Sequence, residues 1–126
     1  MTLFDKTIDT LSKSLDLQLV RHSVITDNIA NAETPYFKAR RVDFEAELQR
    51  AVDANDVTNP GVTLSDVQPT IYEDAVSEMG QDLNTVDMDR EMAALNKSDV
   101  KYSAATQTIS KKFALLKYAI GEGSGQ

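Results

Sequence analysis

Residues 88–120, MDREMAALNKSDVKYSAATQTISKKFALLKYAI, hold the strongest structural pattern of this 126-residue sequence. Apolar side chains recur there at alternating intervals of four and three residues over more than four heptads, the spacing of a helix that packs along a partner helix. Of the ten seam positions eight are apolar, and the ten are Met88, Met92, Leu95, Asp99, Tyr102, Thr106, Ile109, Phe113, Leu116 and Ile120. The sequence therefore predicts a long C-terminal helix, which Gly121 ends.

The stretch Asn84-Thr-Val-Asp87 predicts the start of this helix, because an Asn or Asp side chain can accept hydrogen bonds from the free amides of a first turn. Asp87, Asp89 and Glu91 alternate as in a calcium loop, but the Gly of that loop is missing. We therefore interpret the three acids as partners of the positive end of the helix dipole.

Asp99 and Thr106 interrupt the seam, which costs stability unless they find partners. Either they set the register against the facing helix, or the seam is rotated and both side chains are exposed.

The N-terminal segment repeats the heptad spacing and predicts a helix from about Leu3 to Asn31. Its seam positions are Phe4, Ile8, Leu11, Leu15, Gln18, His22, Ile25 and Ile29. His22 could act as a general base or a pH switch. We favour a polar residue that sets helix register, since no motif connects a Ser nucleophile to it and the chain has no Cys.

The C-terminal helix carries a wider apolar arc than one partner helix requires. Beside its seam lie Ala93, Val100, Ala104, Leu115 and Tyr118. The sequence thus predicts a second neighbour from another subunit, and a repeated contact of that kind can build a filament.

The middle of the chain is acidic and interrupted. Residues 42–86 carry ten acidic side chains and one basic one, Arg50. The spacing predicts a short amphipathic helix near 43–53. The rest of the middle is predicted to be loop, with at most one small β-hairpin formed by the candidate extended segments 62–64 and 70–72.

The predicted fold class is mainly α: two long terminal heptad helices packed as a coiled coil, with a short helix in a largely irregular acidic middle. Residues 1–34 and 84–121 form the coiled-coil domain. Residues 35–83 form a linker or loop region, and 122–126 a flexible tail.

Composition excludes several classes of protein. Without Cys and with the single His22, neither a disulfide scaffold nor a multi-histidine metal site is expected. The net charge of −7 argues against nucleic-acid binding. We expect that the protein is not an enzyme and that it uses no cofactor, no metal and no small-molecule substrate. No stretch approaches the ~20 apolar residues of a membrane span, and the sequence predicts no cleaved signal peptide.

Two motifs resemble a known family. Asn28-Ile-Ala-Asn-Ala-Glu-Thr-Pro35-Tyr-Phe-Lys-Ala39 resembles the N-terminal signature of bacterial flagellar axial proteins, the rod, hook and filament-joining family. Asn84-Thr-Val-Asp-Met-Asp-Arg-Glu-Met-Ala93, with residues 110–120, is similar to the proximal rod subunits of the basal body. Tyr36 departs from the signature, which has Gly there, so the turn would take a negative φ or be rearranged.

The resemblance implies a structural subunit that transmits torque in the flagellar basal-body rod, with the terminal helices as an inner coiled-coil layer. It implies export through the flagellar type III apparatus and assembly in the periplasm with copies of itself, other proximal rod proteins, a rod-to-ring adaptor and the membrane ring. The expected coiled-coil and assembly contacts are Ile8, Leu11, Leu15, Ile25, Ile29, Met92, Leu95, Tyr102, Ile109, Phe113, Leu116 and Ile120. The expected helix-exit motif is Asn28, Asn31, Thr34 and Pro35.

Three other functions are weighed against this one, and the least favoured is an enzyme that uses His22 with one of the acids. A small acidic coiled-coil adaptor or export chaperone would also be helical and Cys-free, but would stay a soluble dimer. Another rod protein of the same family differs only in its terminal motifs.

Overall fold

The structure, a computed structural model, describes residues 2–54 and 63–123. Its helices and strands follow the order α1 (Thr2–Ala30), β1 (Arg40–Asp43), α2 (Glu45–Ala54), a 3₁₀ turn (Leu64–Asp66), β2 (Thr70–Glu73) and α3 (Met88–Gly123). This confirms the mainly helical fold with two long terminal helices and a small antiparallel sheet in the middle. None of the described helices is long and apolar enough to cross a membrane.

The two long helices pack antiparallel, since His22 of α1 lies beside Asp99 of α3 while Asn28, further along α1, lies beside Glu91. At 36 residues α3 is about 54 Å long, and α1 with 29 residues about 43 Å. Asp87 caps α3 as predicted: its Oδ1 accepts from the amides of Asp89 at 3.0 Å and Arg90 at 3.3 Å.

The sheet differs from the predicted hairpin. Thr70–Glu73 is a strand, but its partner is Arg40–Asp43, in a register that pairs Arg40 with Glu73 and Asp43 with Thr70. Leu64 instead begins the 3₁₀ turn, across which Thr63 N and Oγ1 donate to Asp66 Oδ2 at 3.0 and 2.7 Å. Val62 lies outside the described residues.

The middle segment folds over one face of α1. The buried cluster joins Leu17 and Val24 of α1 to residues of the middle segment: Val42, Phe44, Ala51 and Val67. Above it, the Arg21 guanidinium stacks 4.4 Å from the Phe44 ring centroid and donates to Glu45 Oε2 at 2.8 Å. This Arg21 bond is the main reason that the pKa of Glu45 is lowered to about 2.

The N-terminal part of α3 faces α1 one position away from the predicted seam. Glu91 and Ser98 are buried, whereas Met92, Asp99 and Thr106 are exposed. The structure therefore favours the second explanation for Asp99 and Thr106, a rotated seam. Asp99 still lies 3.4 Å from His22 Nδ1, so it also meets the facing helix.

Candidate assembly surface

Asn28, predicted as part of the helix-exit motif, is completely buried where α1, β1 and α3 meet. Its Nδ2 donates to Arg40 O at 2.8 Å and to Glu91 Oε2 at 3.1 Å, and its Oδ1 accepts from Arg40 N at 3.0 Å. The amide thus satisfies both backbone groups of Arg40, as a neighbouring strand would, and holds β1 against α1.

Glu91 is the anion at the centre of a buried ion-pair network. Arg41 Nη1 donates to Glu91 Oε2 at 2.9 Å, while Nη2 lies 2.8 Å from Oε1. Arg41 Nε also donates to Asp74 Oδ2 at 2.9 Å, and Arg90 Nη1 lies 3.2 Å from that oxygen. Glu91 lies in the first turn of α3, as predicted, and it has a direct cationic partner as well, because a carboxylate with no exposed area needs one.

Burial and pairing oppose each other in this network. Burial acts to lower the pKa of Arg41, but the bonds and charges of Glu91 and Asp74 outweigh it, so the pKa of Arg41 is raised. Burial acts to raise the pKa of Asp74, but bonds from Val76 and Ser77 and the two guanidinium groups lower it. Both groups are held in their charged forms.

The chain leaves α1 through a turn that Asn84 holds from the start of α3. Asn84 Nδ2 donates to Asn31 O at 2.8 Å and to Thr34 O at 2.7 Å. Asn31 Nδ2 donates to Asp27 O at 2.8 Å, and Thr34 Oγ1 donates to Asn31 Oδ1 at 3.1 Å. Pro35 is exposed in the turn. Two of the four predicted helix-exit residues, Asn31 and Thr34, thus take part in this turn, and Asn28 takes part in the buried network described above.

Tyr36 keeps the left-handed backbone that Gly would favour, with φ 64°. Of the two alternatives for this turn, the structure contradicts the negative φ; Tyr36 N donates to Asp82 O at 3.0 Å, which holds the turn in the left-handed conformation. Leu83, in the facing segment, has φ 63°, and its carbonyl accepts from Lys38 Nζ at 3.0 Å. Two side-chain-bearing residues therefore hold strained backbone at the same junction.

The predicted assembly residues divide by exposure. Ile25 is buried, and seven are half-buried between the long helices: Ile8, Leu11, Leu15, Ile29, Leu95, Ile109 and Leu116. The exposed members are Met92, Tyr102, Phe113 and Ile120. Val100, Leu115 and Tyr118 are more than 60% exposed on the same helix. These seven residues are spread over about 220° of the circumference of α3, around its exposed part, and we call them together the α3 apolar face.

His22, considered above as a general base or pH switch, lies beside Asp99 on the facing helix. The side chain of His22 is 44% exposed and that of Asp99 is 58% exposed. Among the described residues no group of three or more His, Asp or Glu side chains is placed to hold a metal ion.

Arg41, Asp74 and Asn84 were not predicted as site residues. Arg40 and Arg41 directly follow the N-terminal signature. This pair of cations was the signal that could have predicted the ion-pair network, because cations beside buried apolar residues require carboxylate partners.

The comparisons with known proteins agree with this structure. The chain is 34% identical to the flagellar basal body rod protein FlgB of Borrelia hermsii over 134 residues, covering 95% of this chain and 99% of the relative. It is 34% identical to the protein of that name from Borreliella burgdorferi, with 90% and 94% covered, and 32% identical to that of Bacillus subtilis, with 98% and 99% covered. No protein-family model matches the chain. These relatives confirm the resemblance found in the two motifs, and the chain belongs to the family of the flagellar basal body rod protein FlgB.

Proposed function

We propose that this chain is a structural subunit of the proximal rod, and that its copies pack through the α3 apolar face. The observation that carries the proposal is the exposure of this face: Leu115 is 61% exposed and Val100 69%. Large apolar side chains left exposed in this number on one helix indicate a protein interaction site. One antiparallel α1 covers one side of α3 and leaves the rest for a neighbour.

The assembly contacts would use the predicted seam in two ways. The half-buried residues, such as Ile109 and Leu116, hold α1 to α3 within one subunit. The exposed residues, such as Phe113 and Ile120, meet a neighbouring subunit. A head-to-tail contact of this kind generates a helical array.

The buried network would give the subunit its stiffness. Torque reaches the rod as a twisting load on paired helices, and slippage between α1 and α3 would dissipate it. Asn28 and Glu91 join the two helices at one buried point. Arg41 and Asp74 extend this connection to the sheet.

The finer assignments follow from the family. Copies of the chain, other rod proteins, a rod-to-ring adaptor and the membrane ring are the proposed partners, in the periplasm-spanning rod. The flagellar type III apparatus is the proposed export route. The role is structural and needs no catalytic group. The coiled-coil unit comprises 1–34 and 84–121.

Sedimentation velocity combined with circular dichroism over a concentration series tests the proposal. We expect the chain to associate into open-ended polymers, and Leu115→Ser to raise the concentration required by about tenfold or more. Val52→Ser, an exposed apolar position on α2, is the matched control and should change it little. A concentration-independent dimer would instead support the adaptor or chaperone function.

A further inference from the structure

A cleft of about 330 Å³ between α1, β1 and α3 is basic, although the chain as a whole carries a net charge of −7. Five cationic side chains line it, together with only two acids, Asp43 and Glu45. The cations are Arg21, Arg40, Arg41, Lys97 and Lys101. We call this feature the basic cleft.

The three arginines of the basic cleft are already paired with carboxylates of the same chain. Lys101 Nζ lies 3.7 Å from Glu45 Oε1, at the outer limit of an ion pair, and Lys97 forms no ion pair within the part of the chain that the structure describes. Uncompensated positive charge is therefore concentrated on α3. Tyr72, 44% exposed, adds an aromatic wall.

A surface of the opposite charge lies elsewhere on the same chain. Residues 75–83, which we call the acidic loop, expose Val76 at 78% and Met79 at 58%. Between and beside these apolar side chains lie the exposed acids Glu78 and Asp82. A loop with this exposure lacks cover within its own subunit.

We propose that the acidic loop of one copy docks in the basic cleft of the next copy. The inference rests on the proposed self-assembly and names a second contact for it, separate from the α3 apolar face. Glu78 and Asp82 would meet Lys97 and Lys101, and the loop's apolar side chains would cover Tyr72. Because cleft and loop are different surfaces, the contact is head-to-tail and repeats from copy to copy.

Cross-linking between two full-length single-cysteine variants tests the contact, since the natural chain has no Cys. Ala94→Cys places a thiol in the cleft wall and Gln81→Cys places one in the loop. Mixed and oxidised, these chains should form a disulfide-linked pair about tenfold faster than the control pair of Ala104→Cys with Gln81→Cys. Equal rates would overturn the inference.

Charge reversal provides the second arm. Adding Lys97→Glu and Lys101→Glu to the Ala94→Cys chain should lower the cross-linking rate about tenfold or more. Adding Glu78→Lys and Asp82→Lys to the Gln81→Cys partner should restore it. The matched control, Lys111→Glu with Lys117→Glu, changes net charge equally on the same helix and should have little effect. If both double variants lowered the cross-linking rate equally, general charge attraction would explain the contact, and the inference would be overturned.

The same cross-link in chains that also carry Leu115→Ser separates the two proposals. If the Leu115→Ser chains still cross-link but form no polymers, the cleft contact is supported. If the unsubstituted chain also fails to polymerise, the role of the α3 apolar face is contradicted. Polymers of the unsubstituted chain without the specific cross-link would overturn the cleft contact alone.

Discussion

The two ends of the helix pair differ in what covers them. At one end, residues 17–30 of α1 and 88–101 of α3 pack with the sheet and α2 around a buried cluster and a buried ion-pair network; we call this the clamped half. At the other end, residues 6–16 and 102–121 contain no fully buried side chain among those described; we call this the bare half. The heptad pattern runs through both, so it indicates that a helix needs a partner but not whether the same chain supplies it.

The sharpest test of this contrast compares the same substitution in each half. Phe44→Ala, in the clamped half, should lower the free energy of unfolding by about 3–5 kcal/mol, because Phe44 is only 3% exposed. Phe113→Ala, in the bare half, should change that of the dissociated chain by less than about 0.5 kcal/mol, because Phe113 is 51% exposed. Urea unfolding at low protein concentration measures both. Similar losses would remove the distinction between the halves.

Glu91→Gln, in the clamped half, should lower the free energy of unfolding by about 3 kcal/mol, since it leaves the Arg41 charge partly unpaired in a buried site. The control is Asp89→Asn, an exposed acid in the same helical turn. A loss below about 1 kcal/mol in urea unfolding would mean that Asp74 alone satisfies Arg41.

Hydrogen exchange should separate the halves within one molecule. In the dissociated chain we expect amides of residues 104–120 to exchange about a hundredfold faster than those of 91–98, because few buried contacts oppose opening of the bare half. The signal is mass uptake resolved on peptides from each segment. Strong, equal protection along α3 would contradict the idea that a neighbour completes this helix.

Tyr36→Gly should relieve the left-handed backbone at the junction. Compared with Tyr36→Ala, which removes the same exposed ring but keeps the Cβ, it should be about 1 kcal/mol more stable. Thermal or urea unfolding of the two variants gives this difference directly. An Ala variant as stable as the Gly variant would show that the positive φ carries little strain.

The smallest effect is expected from Glu45, whose folded pKa of about 2 lies below its ordinary value of 4.5. A lowered carboxyl pKa stabilises fully above the unfolded value, and that contribution is lost as pH falls from about 4.5 towards 2. Arg21 and Lys101 are the cations that face this carboxylate. Glu45→Gln should therefore destabilise at pH 6 by less than about 1 kcal/mol, because the carboxylate is half exposed, and this difference should shrink towards zero as pH falls to about 2, where half of the carboxylate is protonated. Glu47→Gln is the control, and an unchanged difference across this pH range would contradict the role of Arg21.

Both long helices could be predicted from the sequence, because heptad spacing and the Asp87 cap are local signals. The partner of Thr70–Glu73 could not, since strand pairing across some thirty residues depends on which strand Asn28 and Arg41 hold in place. The rotation of α3 was one of two alternatives that the sequence left open for Asp99 and Thr106, and the heptad pattern could not decide between them. The burial of Glu91 instead of Met92 is explained only by the Arg41 guanidinium, which lies opposite Glu91 and pairs with its carboxylate.

The candidate site was predicted in part for the same reason. Asn28, Asn31 and Thr34 lie in one short motif, and their role in the exit from α1 follows from what amide and hydroxyl groups do locally. Asn84 acts on that motif from far along the chain, and Asp74 acts on Arg41, which follows the motif. The acidic middle segment looked uniformly solvated, and nothing in its composition distinguished Asp74 from the acids that stay in water.

The bond between Asn28 and Glu91 spans 63 residues of sequence, and this has a kinetic consequence. Helical proteins usually fold fast because their contacts are local, but here the buried ion-pair network closes only after distant segments meet. A chain synthesised from its N-terminus holds Asn28 without Glu91, and Arg41 without its carboxylate partners, until residues 74–91 follow. A nascent chain shorter than about ninety residues therefore lacks this buried network, although the residues of the apolar cluster, Leu17 to Val67, are already present.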